Sequence, residues 1–262
     1  MAGPSNNEYE TMSYNMPSFF VAVEGNIASG KSTILSLLSN RMVNNYTLRT
    51  LPEPTTTWTN TPVGDLLHLA ATDPTLYGES LQNLITTTLL EQRLDAKKSG
   101  SIALAERSLE SAKEVFLKNY EQHQQISRAA SFCLKRQIKM YGRFYPKKDA
   151  VVFLNTEAKV CHERLEKSAI NNKTRGTLST SDCSITLGLL QDLEKLYRQY
   201  INRETMQGMQ VLVVDDNGSC PEEIVSHIIN WLRSITLGQA RTPTITMGSI
   251  PFPEQCTCPH DV

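Results

Sequence analysis

The sequence predicts a doubly wound α/β domain built on a five-stranded parallel sheet, and three observations carry that expectation. Short β-rich apolar runs at Phe19–Val23, Tyr46–Leu51, Ile102–Ala105, Val151–Leu154 and Val211–Val214 are separated by stretches of helical period. Those stretches space their apolar residues by three or four, so that each presents one buried face. The first run leads directly into a glycine-rich segment, Gly25 to Ser32, which an amphipathic pattern follows at once. Strand, loop and helix in that order form the start of a phosphate-binding unit.

The elements follow in chain order. After the first strand, Ile34, Leu37, Leu38 and Met42 mark a helix; Leu81, Leu84, Ile85 and Leu89 mark another before the third strand. Leu190, Leu193 and Tyr197 precede the fifth strand, and Val225, Ile228, Ile229 and Leu232 follow it. Val211–Asp215 has the look of a strand that ends in a metal-binding aspartate, but as the last strand it reads as structural. No self-similarity at the period of a solenoid is present. One domain over 18–237 is expected, between disordered tails at 1–17 and 238–262.

Composition narrows the class. With 26 Lys+Arg against 27 Asp+Glu the formal net charge is −1, so no global basic field draws nucleic acid or anionic lipid. Residues 133–148 gather Lys135, Arg136, Lys139, Arg143, Lys147 and Lys148, which read as a solvated helix face rather than a nucleic-acid patch. No apolar run approaches the roughly 18 residues that a membrane span needs. Six cysteines in 262 residues are too sparse for a disulfide framework, which fits a reducing compartment. Cys256, Cys258 and His260 lack a second ligand pair and are discounted as a metal site. The first residues lack a basic, apolar or Arg-rich leader pattern, so a cytoplasmic location is expected.

The segment Gly25-Asn26-Ile27-Ala28-Ser29-Gly30-Lys31-Ser32, with Thr33 behind it, satisfies G-x4-G-K-[ST]. Its glycines let backbone N–H groups turn toward an anion, Lys31 adds a charge for the outer phosphates, and the Ser32 hydroxyl can hold Mg²⁺. The donor is therefore read as a nucleotide carried with Mg²⁺. A switch GTPase or a motor is excluded by the lack of a D-x-x-G after a middle strand and of a second domain to be moved. After the second strand comes Pro52-Glu53-Pro54 with Trp58 beyond, and after the third comes Glu106-Arg107-Ser108. Both lie at carboxyl ends of strands, where open α/β sheets bind ligands.

With these motifs in order, residues 18–235 resemble the deoxyribonucleoside kinases, the family of viral and animal thymidine kinases and deoxycytidine kinase. The resemblance implies that Glu53 is the base for a sugar 5′-hydroxyl, that Arg107 sits beside the reacting oxygen and phosphate, and that Glu106 faces the metal with Ser32. It further implies a base pocket of Trp58, Gln82 and Phe116, walled by Ile85, Leu89 and Ala112. Leu89 and Ala112 stand where deoxycytidine- and deoxyguanosine-type relatives carry an Arg and an Asp, which points to a thymidine-accepting pocket. A homodimer is implied as well.

Two places depart from the family pattern. Ala71 occupies the position of a tyrosine that contacts the 3′-hydroxyl, with Tyr77 nearby in sequence. A lid over about 164–184 opens with Arg164, which is expected at the donor, but continues through Ser168 and Ile170 where arginines are usual, leaving Lys167, Lys173 and Arg175 as its cations. The expected activity is phosphorylation of a deoxyribonucleoside 5′-hydroxyl by ATP with Mg²⁺, the acceptor being thymidine or another pyrimidine. A thymidylate kinase and a non-catalytic nucleotide-binding regulator are the alternatives.

Overall fold

The computed structural model describes residues 19–44, 46–97, 101–144, 147–174, 185–216, 219–236 and 245–246. All five strand runs form strands: β1 (Phe19–Gly25), β3 (Tyr46–Leu51), β4 (Ile102–Glu106), β5 (Ala150–Asn155) and β6 (Gln210–Asp215). Two short strands flank them, β2 (Met42–Val43) and β7 (Ile245–Thr246), giving a sheet of order β2-β3-β4-β1-β5-β6-β7. The β3 to β7 pairings are parallel, and β2 alone runs antiparallel, paired to β3. The expected five strands are thus the body of a seven-stranded sheet. Ile245–Thr246 pairs with Leu212 and Val213, which corrects the reading of 238–262 as tail throughout.

The strands are apolar on both faces because both are covered. Val21, Val23, Val152, Leu154, Leu212 and Val214 face one core, packed with α1 (Lys31–Leu38) and α10 (Pro221–Thr236). Their neighbours Val151, Phe153 and Val211 face the opposite core, with Tyr197 and Tyr200 of α9 (Leu187–Met206). That alternation is the period-2 signature of a pleated strand. Burying each such side chain contributes roughly 1.5–3 kcal/mol.

Met42 does not continue α1. Ser39 leaves the helical region and Asn40 takes a left-handed φ of 60°, so the chain turns and Met42 enters β2 with its side chain exposed. A step of four past a turn is only a coincidence of spacing.

Past β3 the helical elaboration begins: α2 (Thr55–Thr59), α3 (Leu66–Thr72) and the long α4 (Pro74–Lys97). After β4, α5 (Leu109–Ser111) runs through a π-helical stretch (Ala112–Leu117) into α6 (Lys118–Gln122), and α7 (Arg128–Phe144) follows. Helix α8 (Ala158–Thr174) lies between β5 and α9. Trp58, Leu81, Ile85, Leu89, Leu109 and Ala112 make a separate apolar cluster away from the sheet, between these helices.

Of the basic cluster, Arg136, Lys139 and Arg143 are exposed as expected, but Lys148 is not. It is buried, paired with Glu204 at 3.0 Å and Glu110 at 3.5 Å. The Cys256–His260 segment and residues 175–184 of the expected lid lie outside the described residues.

Candidate active site

The phosphate cradle is built by its own sequence. Gly25 ends β1 with φ 152°, and a Cβ there would lie 2.6 Å from Ser29 Oγ and 2.9 Å from the Leu154 carbonyl. No side chain fits. Ala28 adopts a left-handed φ of 60° and Gly30 one of 94°, which closes the loop onto the first turn of α1. Asn26 ties the loop down twice: Oδ1 accepts from the Ile27 N–H, and Nδ2 donates to the Leu190 carbonyl of α9 at 2.8 Å. Ser29 Oγ is buried without a protein partner, as an atom awaiting a ligand oxygen would be.

Lys31 is buried and folds back so that Nζ donates to the Asn26 carbonyl at 2.7 Å, with Glu106 3.8 Å away. Burial and the nearby Arg107 push its ammonium down to about 8, against the pull of Glu106 and Glu53. Ser32 and Thr33 are exposed beside it. Ser32 Oγ lies 3.1 and 3.2 Å from the two Glu106 carboxylate oxygens. A hydroxyl and a buried carboxylate in contact suit a hard oxygen-loving cation, so these residues fit a Mg²⁺ carried with a nucleotide. Arg164 on α8 reaches the rim of the cradle, 3.5 Å from the Ala28 carbonyl, and is held there by Asp216 at 2.5 Å.

From β4 the chain passes Glu106 into Arg107, which takes a left-handed φ of 67° while its N–H bonds the Val23 carbonyl of β1. A non-glycine residue in that region carries backbone strain that the surrounding contacts must hold. The guanidinium is ion-paired to Glu53, donates through Nη1 to the Tyr197 hydroxyl oxygen at 2.6 Å, and lies 4.3 Å over the Phe116 ring. Burial opposes its charge, but Glu53, Tyr197 and Glu106 overcome that and hold it firmly protonated. Burial likewise holds the Tyr197 phenol neutral. The Glu53 backbone N–H, 3.5 Å from Glu106, joins the two motifs.

Glu53 and Arg107 both line a cavity of about 670 Å³. Every residue expected at the acceptor lines it: Glu53, Trp58, Gln82, Ile85, Leu89, Arg107, Ala112 and Phe116. Trp58 is fixed by its indole N–H, which donates to Thr88 of α4 at 2.9 Å. Ala112 and Phe116 open and extend along the π-helical stretch, a widened turn of the kind that often marks a functional position. Ala71 lines the cavity, whereas Tyr77 packs in the neighbouring apolar cluster.

The cavity also contains residues that sequence reasoning missed. Tyr120 and Asn119 of α6 and the pair His123–Asp192, in contact at 2.9 Å, line it as well. Tyr197 was legible only as one step of an apolar stripe; the sign of a further role is that a wholly buried tyrosine needs a partner for its hydroxyl. Glu24, at the end of β1, is fully buried, and its Oε1 accepts from Ser108 Oγ at 2.6 Å. Burial pushes its carboxyl up to about 7 despite the hydrogen bonds of Ser108 and Ser111. Cys161 is equally buried, its thiol pushed up to about 11, and has no nucleophilic character.

The geometry can therefore hold phosphates, a cation, and a hydroxyl-bearing acceptor whose reacting end meets a carboxylate and a guanidinium. Among known proteins, the chain is 31% identical over 148 residues to human mitochondrial thymidine kinase 2, covering 56% of this chain and 54% of that protein. It is 34% identical over 94 residues to a thymidine kinase of Ictalurid herpesvirus 1, covering 36% of this chain and 39% of that protein. A mitochondrial deoxyguanosine kinase of Xenopus laevis is 25% identical over 225 residues, covering 74% of this chain and 80% of that protein. The human alignment thus spans about half the length of that relative. The family model of deoxynucleoside kinases matches residues 21–233, which takes in the cradle, the Glu53 and Arg107 turns and the cavity, and the chain belongs to the deoxynucleoside kinase family.

Proposed function

We propose that this protein transfers the γ-phosphoryl group of ATP, with Mg²⁺, to the 5′-hydroxyl of a deoxyribonucleoside, with thymidine or another pyrimidine preferred. The observation that carries the reading is the junction of the two sites. Glu53 and Arg107 are ion-paired in the wall of the acceptor cavity, and the Glu53 backbone touches the carboxylate that meets Ser32 in the cradle.

Lys31 and the cradle N–H groups would neutralise the donor phosphates, and Ser32 and Glu106 would hold the cation, which would supply further positive charge there. Glu53 takes the 5′-hydroxyl proton, and Arg107 steadies charge on the equatorial oxygens of the group in flight. Tyr197 and the Phe116 ring keep the guanidinium aimed while Glu53 changes its bonding. Arg164 is assigned to the donor side. Gln82 reads the base edge, Phe116 stacks on the ring, and the buried apolar pair Leu89 and Ala112 leaves space for a 5-methyl group.

A nucleoside suits the cavity better than a nucleoside monophosphate. Arg107 is the sole Lys or Arg among the described residues lining it, and its charge is already matched by Glu53. Among the described residues, an acceptor phosphate would meet a carboxylate and no unmatched Lys or Arg in the cavity wall. The decisive assay incubates the protein with ATP, Mg²⁺ and a panel of nucleosides and nucleotides. Formation of thymidine monophosphate is expected, and turnover of thymidylate alone would replace this reading with a thymidylate kinase.

A cytoplasmic location and a homodimer belong to the same proposal. Among the described residues no helix is long and apolar enough to cross a membrane, and Cys133, Cys161 and Cys220 are free thiols. Phe132 and Met140 lie exposed on α7, which supports self-association. Cell fractionation tests the first, since two of the relatives carry mitochondrial names; light scattering on the purified chain tests the second.

A further inference from the structure

We propose that Glu24 is a positioning residue for Arg107, holding through the Ser108 hydroxyl the turn that aims the guanidinium into the acceptor cavity. The inference rests on Arg107 acting at the reacting end of the acceptor. Glu24 is wholly buried, is not among the described residues of the cavity wall, and keeps one carboxyl oxygen without a hydrogen-bond partner. A carboxyl buried on those terms costs stability, and such a group calls for a reason beyond packing. Its other oxygen, Oε1, accepts from Ser108 Oγ at 2.6 Å. The Tyr200 and Ser111 hydroxyls lie farther from Ser108 Oγ, at 3.3 and 3.4 Å, so Glu24 is its tight side-chain contact.

Ser108 matters because of the residue before it. β4 ends at Glu106, which pairs in register with Val23 of β1, and Arg107 then leaves the sheet with a φ of 67°. Its N–H bonds the Val23 carbonyl, and Ser108, back in the extended region at φ −140° and ψ 163°, reaches Glu24. Consecutive residues of β1 therefore grip consecutive residues of the turn, one grip on each side of the left-handed rotation. A non-glycine residue keeps such an angle only where its surroundings over-determine it. Glu53, Tyr197 and Phe116 hold the far end of the Arg107 side chain but not the backbone it springs from. With the Glu24 grip gone, the turn would relax toward negative φ and carry the guanidinium away from the place where the acceptor hydroxyl meets the transferred phosphoryl group.

The test is kinetic, on the full chain, with ATP, Mg²⁺ and thymidine, and kcat is counted per folded molecule. Glu24→Leu removes the acceptor oxygen and is expected to lower kcat about 10–10²-fold, with KM for both substrates within about twofold of wild type. Glu24→Gln keeps an oxygen that accepts from Ser108 and should hold kcat within about threefold of wild type. A role confined to stability would lower the melting temperature of Glu24→Leu and leave kcat of its folded molecules unchanged. Ser108→Ala breaks the same contact from the other side and carries the test should Glu24→Leu fail to fold. Combined with Glu24→Leu it should cost nothing more, because both remove one contact. The positioning role is wrong, and the reading of Arg107 stands, if Arg107→Gln collapses kcat while Glu24→Leu and Ser108→Ala leave it unchanged. Equal losses in Glu24→Gln and Glu24→Leu, or full additivity in the double variant, overturn it in the same way. If Arg107→Gln itself leaves kcat unchanged, both fail.

Discussion

The donor end and the acceptor end of this site are made in different ways. The cradle is eight consecutive residues, Gly25 to Ser32, whose shape follows from two glycines, a left-handed Ala28 and the start of α1. The acceptor cavity draws its walls from α2, α3, α4, the π-helical stretch, α6 and α9, so residues more than a hundred positions apart meet there. A local turn can be specified by a short motif because each backbone angle is chosen by the residue that adopts it. A cavity between helices is specified by packing, where each wall depends on several partners. The donor end should therefore be unforgiving of change at single residues, and the acceptor end adjustable in pairs.

The largest expected effect lies in the cradle. Lys31→Ala removes the buried ammonium that stands between the Asn26 carbonyl and Glu106. Turnover should fall by about 10⁴-fold or more, because charge on the outer phosphates is then unmatched in a desolvated site. Nucleoside binding, followed by the fluorescence of Trp58 in the cavity wall, should be retained. Loss of both together would mean that the two ends are not separable.

At the junction, Glu53→Gln keeps shape and removes basicity. A fall in kcat of about 10²–10⁴ is expected, with nucleoside KM changed little. The substitution also leaves the Arg107 charge without its ion-pair partner, so some loss of melting temperature accompanies it. A rise in KM with kcat intact would make Glu53 a binding group and remove the proposed base.

At the acceptor end the effect is smaller and needs two changes. Leu89 and Ala112 are 3% and 2% exposed, so one new charge there would be buried alone. Leu89→Arg with Ala112→Asp supplies a pair, and the ratio of kcat/KM for deoxycytidine over thymidine should rise by about 10²-fold, whereas either change alone should lower kcat/KM for both nucleosides, by less than the loss at Lys31. Equal behaviour of the single and double variants would show that these two walls do not face a common ligand.

The same contrast governs how much could be read from the sequence. The five principal strands, the cradle and the helices of α4, α9 and α10 were legible, because period and turn chemistry are local properties. Met42 misled because spacing alone cannot see the left-handed Asn40 that ends the helix before it. Lys148 misled because a run of cations looks solvated until the fold brings Glu110 and Glu204 to one of them. Glu53, Gln82 and Phe116 could be placed only through the family pattern, and nothing in the chain announces that Tyr197, 90 residues away, would meet Arg107. Tyr120 is hidden for the same reason: its place depends on the glycine it covers, which lies on another helix.

The smallest effect concerns the brace between the two ends. Glu24, the residue before Gly25 in β1, accepts from Ser108 next to Arg107 and leaves its second oxygen buried and unpartnered. Burial raises its carboxyl from the ordinary 4.5 to about 7, so the fold favours the protonated form. Stability from that preference is full below the unfolded value and is lost as pH rises through about 7, because the unfolded chain gives up the proton earlier. Glu24→Gln keeps the shape and cannot ionise. Relative to wild type it should be close to neutral at pH near 4.5 and more stable at pH 8, by roughly 1–3 kcal/mol, or several degrees in melting temperature. If its melting temperature differs from that of the wild type by the same amount at both pH values, Glu24 is not a buried titrating group. The orientation of Arg107 would then rest on Tyr197 and Glu53, and the two ends would be coupled through the acceptor side alone.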